Sequence, residues 1–209
     1  LMLITQRNQR PMHEYLQFIK RCAGAGLTSV QLREKEISGT QTVSQDFLYE
    51  FGARLKDILD PKGVALVIND HLDLALKLDA TVLHMGQTDG CPKTAREQLG
   101  PQKILGISIE NFDDLDRAND LSMLDYVSAG AIFPTRHKTN LKRVWGLEGL
   151  RELTQRSRHP MIAIGGITLN NAEDILRAGA VGFALSGAIQ NAENPEKVTQ
   201  QLRDLVDSY

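Results

Sequence analysis

Met161-Ile162-Ala163-Ile164-Gly165-Gly166-Ile167-Thr168-Leu169-Asn170-Asn171-Ala172-Glu173-Asp174-Ile175-Leu176-Arg177-Ala178-Gly179-Ala180-Val181-Gly182-Phe183-Ala184-Leu185-Ser186 holds, within a single stretch, the pattern that organises the whole chain. Two short apolar runs, Met161–Ile164 and Gly182–Ser186, flank a segment in which Ala172, Ile175 and Leu176 share one helical face. Gly179 follows that face where a left-handed residue commonly closes a helix. Neither run alternates apolar with polar residues, so both suit strands covered on two faces, as in a parallel sheet.

The same unit recurs toward the N-terminus. Further apolar runs occupy Leu1–Thr5, Ser29–Arg33, Val64–Asn69, Thr81–His84, Ile104–Ser108 and Tyr126–Phe133, which brings the series to eight. Helical faces lie between them: Tyr15, Ile19, Cys22 and Ala23; Phe47, Phe51, Leu55, Ile58 and Leu59; Leu147, Leu150 and Leu153. Val198, Leu202, Leu205 and Val206 close the chain with another. Asn111 is placed to cap a helix and Gly26 to end one, while shorter helices are expected over 73–79 and 92–99. Eight strand–helix units with no linker between them predict an α/β protein, a single-domain (β/α)8 TIM barrel over 1–209, for which 209 residues is an ordinary length. An open doubly wound sheet shares this local pattern and is the structural alternative.

Composition narrows the class further. The chain is 42% hydrophobic and 24% charged with a net charge of -2, which is globular and gives no general attraction to nucleic acid. Cys22 and Cys91 make no disulfide framework and match no metal spacing, so a reducing compartment is expected. Leu1-Met2-Leu3-Ile4 carries no basic leader, and no run approaches the roughly 18 apolar residues of a spanning helix. A cytoplasmic protein without membrane contact is the expectation. The five histidines show no H-E-x-x-H spacing, and no serine hydrolase elbow is present.

In a barrel of this kind chemistry gathers at the C-terminal ends of the strands, so polar residues there are the informative ones. The second run ends Gln31-Leu32-Arg33-Glu34-Lys35, the third Asn69-Asp70, the fourth His84-Met85-Gly86-Gln87-Thr88-Asp89 and the fifth Ser108. The sixth leads into Pro134-Thr135-Arg136-His137-Lys138, the seventh into Gly165-Gly166-Ile167 and the eighth into Ser186-Gly187. The last three can form an anion site, because glycine lets backbone approach a ligand and a helix entry offers N–H groups. Asp70 and Asp89 read singly as caps or turn residues; together, beside Arg33, Lys35 and Lys138, they suit a Mg²⁺ that keeps waters and binds a polyphosphate. Arg33 has the simpler reading of pairing with Glu34 or Glu36, Gly165-Gly166 that of an ordinary turn, and His84 that of a hydrogen-bonded structural histidine. The basic stretch Arg136–Arg143 fits a solvated loop, a nucleic-acid patch or a lid over phosphates; without interleaved aromatics the lid is favoured over the patch.

Assembled in order, these motifs resemble the thiamine phosphate synthase family along nearly the whole chain. They are Gln31–Lys35, Ile68-Asn69-Asp70 with Asp73-Leu74-Ala75, His84–Asp89, Gly106-Ile107-Ser108, Ile132-Phe133-Pro134-Thr135 with Lys138, and Ala163–Ile167 with Asn170. The resemblance implies a Mg²⁺-dependent transferase that joins a hydroxymethylpyrimidine diphosphate to a thiazole phosphate, through a cation-like pyrimidine, and releases pyrophosphate. It implies Arg33, Lys35, Ser108 and Lys138 as catalytic residues. With Asn69 these would hold the pyrimidine diphosphate, and Gln31, Leu32 and Glu34 would help line its site. Asp70 and Asp89 would hold Mg²⁺, and Thr135, Arg136, His137, Gly166, Ser186 and Gly187 would meet the thiazole phosphate. A homodimer is implied as well. The chain departs from the family pattern at His137, usually a threonine, and at Ser186-Gly187, usually valine-serine; altered phosphate affinity is expected there.

Two rivals share the scaffold. A thiazole tautomerase-like relative would carry a histidine just before the sixth-strand motif, where Ala131 stands, so its general base is missing. A non-catalytic barrel that binds a thiamine precursor would not need both Asp70 and Asp89.

Overall fold

Alternate side chains of a strand face opposite ways, and in this chain both directions are apolar for a reason visible in the tertiary structure. The computed structural model describes residues 1–34, 43–135 and 143–209. Strands β1 (Met2–Ile4), β2 (Ser29–Leu32), β3 (Ala65–Asn69), β4 (Val82–Met85), β5 (Ile104–Ile109), β6 (Tyr126–Gly130), β7 (Met161–Ile164) and β8 (Gly182–Leu185) pair in chain order, all parallel. Met2 and Leu3 pair with Ala184 and Leu185, so β8 returns to β1 and the sheet closes; the open-sheet alternative is excluded.

Helices α1 (Met12–Gly24), α2 (Gln45–Leu59), α3 (Leu72–Lys77), α4 (Pro92–Leu99), α5 (Phe112–Asn119), α6 (Gly146–Arg156), α7 (Ala172–Arg177), α8 (Gly187–Gln190) and α9 (Pro195–Asp207) follow the strands. The outward-facing strand residues, such as Leu3, Leu66, Leu83, Leu105 and Phe183, bury against helical residues including Tyr15, Ile19, Phe51, Leu55 and Leu150. Each such aliphatic or aromatic side chain contributes about 1.5–3 kcal/mol by leaving water. The inward-facing Met2, Ile4, Val67, Val82, Tyr126 and Ala184 form a second, smaller core inside the barrel. Side-chain caps fix several helix starts: Ser44 accepts from Phe47 N, Asn111 from Asp114 N and Asn194 from Lys197 N, each worth about 1 kcal/mol.

Most strand ends fall within a residue of the pattern reading, and three differences are informative. The sixth apolar run reaches Phe133, but β6 ends at Gly130; Ala131 and Ile132 are buried in a bend, and burial makes a bend as apolar as a strand. Helix α3 starts at Leu72 and stops two residues short of 79, with Asp79 at φ 48. The one-turn helix α8, between β8 and the closing α9, has too short a period to read from sequence. No helix among the described residues is long and apolar enough to cross a membrane.

Gly106 is required by close packing inside the barrel. A Cβ there would lie 2.2 Å from the Tyr126 ring. Gly106→Ala is expected to destabilise the protein by about 1–3 kcal/mol through overpacking, seen as a lower urea midpoint with an unchanged denaturant slope.

Candidate functional site

A cavity of about 1220 Å³ opens at the C-terminal mouth of the barrel, where the inward-facing ends of the strands converge. Strand alternation decides who reaches it. On β2, Gln31 points inward and lines the cavity, Leu32 points outward, and Arg33 just past the strand points inward again. The side chain of Leu32, expected to help line the site, turns away from the cavity instead: it is 2% exposed and packs in the outer core, 3.2 Å from where a Cβ on Gly52 of α2 would stand. The expected site residues Gln31, Arg33, Glu34, Asn69, Asp70, Asp89, Ser108, Thr135, Gly166, Ser186 and Gly187 all line this one cavity. Lys35, Arg136, His137 and Lys138, and with them most of the expected lid, lie outside the described residues.

Arg33 is held at the rim by its backbone N–H, which donates to Thr5 Oγ1 at 3.0 Å. Burial lowers the affinity of its guanidinium for its proton, and the negative charges of Asp70 and Glu34 work against that effect. Glu34 also anchors a loop: both its oxygens accept from the backbone N–H of Arg7, at 3.1 and 3.2 Å. Burial pushes the Glu34 carboxyl up, while hydrogen bonds from Thr5 and Arg7 hold it down.

The two aspartates sit on neighbouring loops. Asp70, at φ 66, follows β3 and its N–H donates to His84 O at 2.8 Å, which ties the end of β3 to β4. Asp89 folds the β4–α4 loop back on itself, because its Oδ2 accepts from Gly86 N at 2.7 Å. Its turn role is thus real, and it lines the cavity as well. Among the described residues no group of three His, Cys, Asp or Glu side chains forms a metal cage. Two carboxylates lining the cavity fit a hard cation that takes its remaining oxygens from water and phosphate, as Mg²⁺ does.

Below the mouth lies a polar network. His84 is 5% exposed; its Nδ1 is 2.9 Å from Tyr126 Oη, and its Nε2 is 2.9 Å from Ser108 Oγ and 3.2 Å from Ser128 Oγ. Burial raises the Tyr126 pKa, so the phenol stays protonated beside Nδ1. Ser108 thus joins this network while lining the cavity. The reading of His84 as a hydrogen-bonded structural histidine holds.

Burial also pushes His84 down to about 4. A depressed folded-state pKa means that this group's stability is present above the unfolded value of about 6.5 and is lost as pH falls toward the folded one. Between pH 7 and pH 5 the wild type is expected to lose about 2 kcal/mol more stability than His84→Gln, measured by urea unfolding at both pH values. Equal losses would remove His84 from the buried network.

On the opposite wall, Gly165 and Gly166 take φ 96 and 67, and a Cβ on Gly166 would sit 2.6 Å from Phe133 Cβ and 2.8 Å from Pro134 O. The loops after β6 and β7 therefore touch with no room for a side chain. Asn171 Nδ2 donates to Gly166 O at 3.0 Å and holds the turn. Beside it, Ser186 Oγ donates to Gln6 Oε1 at 3.1 Å. Gln6, Tyr126, Ser128 and Thr168 also line the cavity and are not singled out by the strand-end pattern, although Gln6 directly follows the first run. Ala131 lines the cavity with a methyl group, which can move no proton.

Comparison with known proteins bears on this arrangement directly. A family model described as thiamine monophosphate synthase matches residues 1–189. The thiamine-phosphate synthase of Chlamydia caviae is 43% identical over 207 residues, covering 99% of this chain and 94% of the relative. That of Vibrio parahaemolyticus is 39% identical, covering 99% and 98%. The solved thiamine phosphate pyrophosphorylase of Pyrococcus furiosus superposes with a TM-score of 0.84 at 30% identity, covering 99% of this chain and 95% of that one. With barrel, mouth and full-length similarity in agreement, the chain belongs to the thiamine monophosphate synthase family.

Proposed function

We propose that the chain is a thiamine phosphate synthase that joins 4-amino-2-methyl-5-(diphosphooxymethyl)pyrimidine to the thiazole phosphate. The observation that carries this reading is the convergence of Arg33, Asn69, Asp70, Asp89 and Ser108 on one wall of the cavity in a chain similar to thiamine-phosphate synthases over its full length. In the reaction the C–O bond to the diphosphate breaks, its electron pair leaves with pyrophosphate, and the thiazole nitrogen lone pair forms the new C–N bond. No protein nucleophile is needed. Arg33 and the Ser108 hydroxyl would stabilise the charge that grows on the leaving group, and Asn69 would orient it. Lys35 and Lys138 are assigned to the same task from the sequence motif alone.

Asp70 and Asp89 would hold Mg²⁺, which when bound neutralises diphosphate charge. Gly166, Ser186, Gly187 and Thr135 would receive the thiazole phosphate, with Arg136 and His137 assigned there from sequence. Cytoplasmic synthesis by a homodimer completes the proposal, and light scattering at twice the chain mass would support the dimer.

The test mixes purified protein, both precursors and Mg²⁺ and follows products by mass spectrometry. Thiamine phosphate and pyrophosphate in equal amounts are expected, with formation stopped by a chelator and restored by added Mg²⁺. Active precursors that yield no thiamine phosphate would overturn the reading, and interconversion of thiazole tautomers without coupling would promote the tautomerase.

A further inference from the structure

A closed ring of hydrogen bonds ties the loop after β1 to β8 and α8, and one carbonyl orients Gln190 within it. Ile4 O can only accept, so the side-chain atom that meets it at 3.0 Å is Gln190 Nε2. That orientation turns Gln190 Oε1 toward Tyr15 Oη at 3.0 Å, so the phenol donates. The phenol oxygen in turn accepts from Gln6 N at 2.8 Å. The second proton of Gln190 Nε2 goes to Ser186 Oγ at 2.9 Å, which leaves Ser186 its own proton for Gln6 Oε1 at 3.1 Å. Gln190 is 7% exposed and Tyr15 fully buried, so both polar groups are costly to bury unless satisfied, and the ring satisfies them.

The consequence falls on Gln6, which is half-buried on the cavity wall. Its amide oxygen is turned to Ser186, so the end that remains for a ligand is its NH2 group, a pure donor. The hydroxyl proton of Ser186 is engaged by Gln6, so the amide of Gln6 is a side-chain donor that this wall offers to a ligand. We propose that Gln6 is a specificity-determining contact whose NH2 group donates to a phosphate oxygen of the monophosphate substrate, and that Gln190 and Tyr15 are positioning residues that fix its orientation. This rests on the two-substrate reading given above.

The test uses Gln6→Glu, which keeps the shape and the acceptor for Ser186 but puts a carboxylate oxygen where the NH2 group was. Loss of one charge-assisted donor, with added repulsion, is expected to raise KM for the thiazole phosphate about tenfold or more, with KM for the pyrimidine diphosphate and kcat nearly unchanged. Gln6→Asn, which withdraws the amide by one methylene, should raise the same KM. Gln190→Met and Tyr15→Phe should raise it less, and should add nothing further in the Gln6→Glu background. A merely structural ring would instead change both KM values and kcat together, and that result would overturn the proposal.

Calorimetric titration of thiazole phosphate, with inorganic phosphate as the comparison anion, gives a readout without turnover. Weaker binding of thiazole phosphate to Gln6→Glu than to wild type is expected, and equal affinities, or no binding to wild type, would overturn the proposal. Binding that depends on Gln6 in a protein that makes no thiamine phosphate would sink the synthase reading and leave this inference standing. Coupling with an unaltered KM in Gln6→Glu would do the reverse.

Discussion

Asp70→Asn is expected to lower kcat/KM for coupling by about a thousandfold or more, a loss of roughly 4 kcal/mol of transition-state stabilisation, while leaving the fold intact. Asparagine is chosen because Asp70 stands at φ 66, a left-handed conformation that asparagine tolerates and alanine does not. The backbone bond from its N–H to His84 O survives the change, so the end of β3 stays tied to β4. What disappears is the negative charge. That charge partly offsets the burial of Arg33 and, in the proposed chemistry, is half of the carboxylate pair that holds Mg²⁺. Steady-state kinetics over a Mg²⁺ series, with urea unfolding as the control for folding, measures the effect. An Asp70→Asn enzyme within tenfold of wild type at every Mg²⁺ concentration would refute the carboxylate's role.

Arg33→Met is expected to cost about a hundredfold to a thousandfold in kcat, the range seen when one preorganised donor is taken from a developing oxyanion. Methionine fills much of the aliphatic volume, and the anchor from Arg33 N to Thr5 Oγ1 involves only backbone, so the loop keeps its place. The variant also removes one positive charge beside Asp70 and Glu34. Arg33→Lys should restore only part of the rate, since an ammonium lacks the planar fork that meets two phosphate oxygens. Full activity in Arg33→Lys would mean that charge alone matters at this position.

Much of this architecture was legible in the residues because parallel strands buried on both faces leave uninterrupted apolar runs. Each run then had to be followed by the polar rim that the mouth of a barrel exposes. Asn69, Asp70, Asp89 and Ser108 could be read as neighbours in space for that reason alone. Leu32 shows where the reading lacked resolution: a motif stretch is contiguous in sequence, but a strand sends every second side chain to the far face, and Leu32 went to the helices. The sixth run shows a different limit, since Ala131 and Ile132 are as apolar as strand residues while lying in a bend.

Gln6 is the instructive omission. It follows the first strand as the other rim residues follow theirs, but an uncharged amide carries little signal until its partners are known. Those partners, Ser186 and through it Gln190, lie some 180 positions away along the chain. The hydrogen bonding of His84 depends in the same way on Tyr126, two strands further round the barrel. Orientation of a polar group is a property of its neighbours, and the barrel supplies those only after it closes.

The central claim is that one mouth holds two anions on opposite walls, a diphosphate beside Asp70 and Asp89 and a monophosphate beside Gly166 and Ser186. A crystal structure of the protein grown with Mg²⁺, pyrophosphate and thiamine phosphate tests it most directly. Pyrophosphate and the metal are expected between Arg33, Asp70, Asp89 and Ser108, and the phosphate of thiamine phosphate against Gly166, Ser186 and the amide of Gln6. Pyrophosphate bound on the Gly166 wall, or a metal held away from both aspartates, would contradict it.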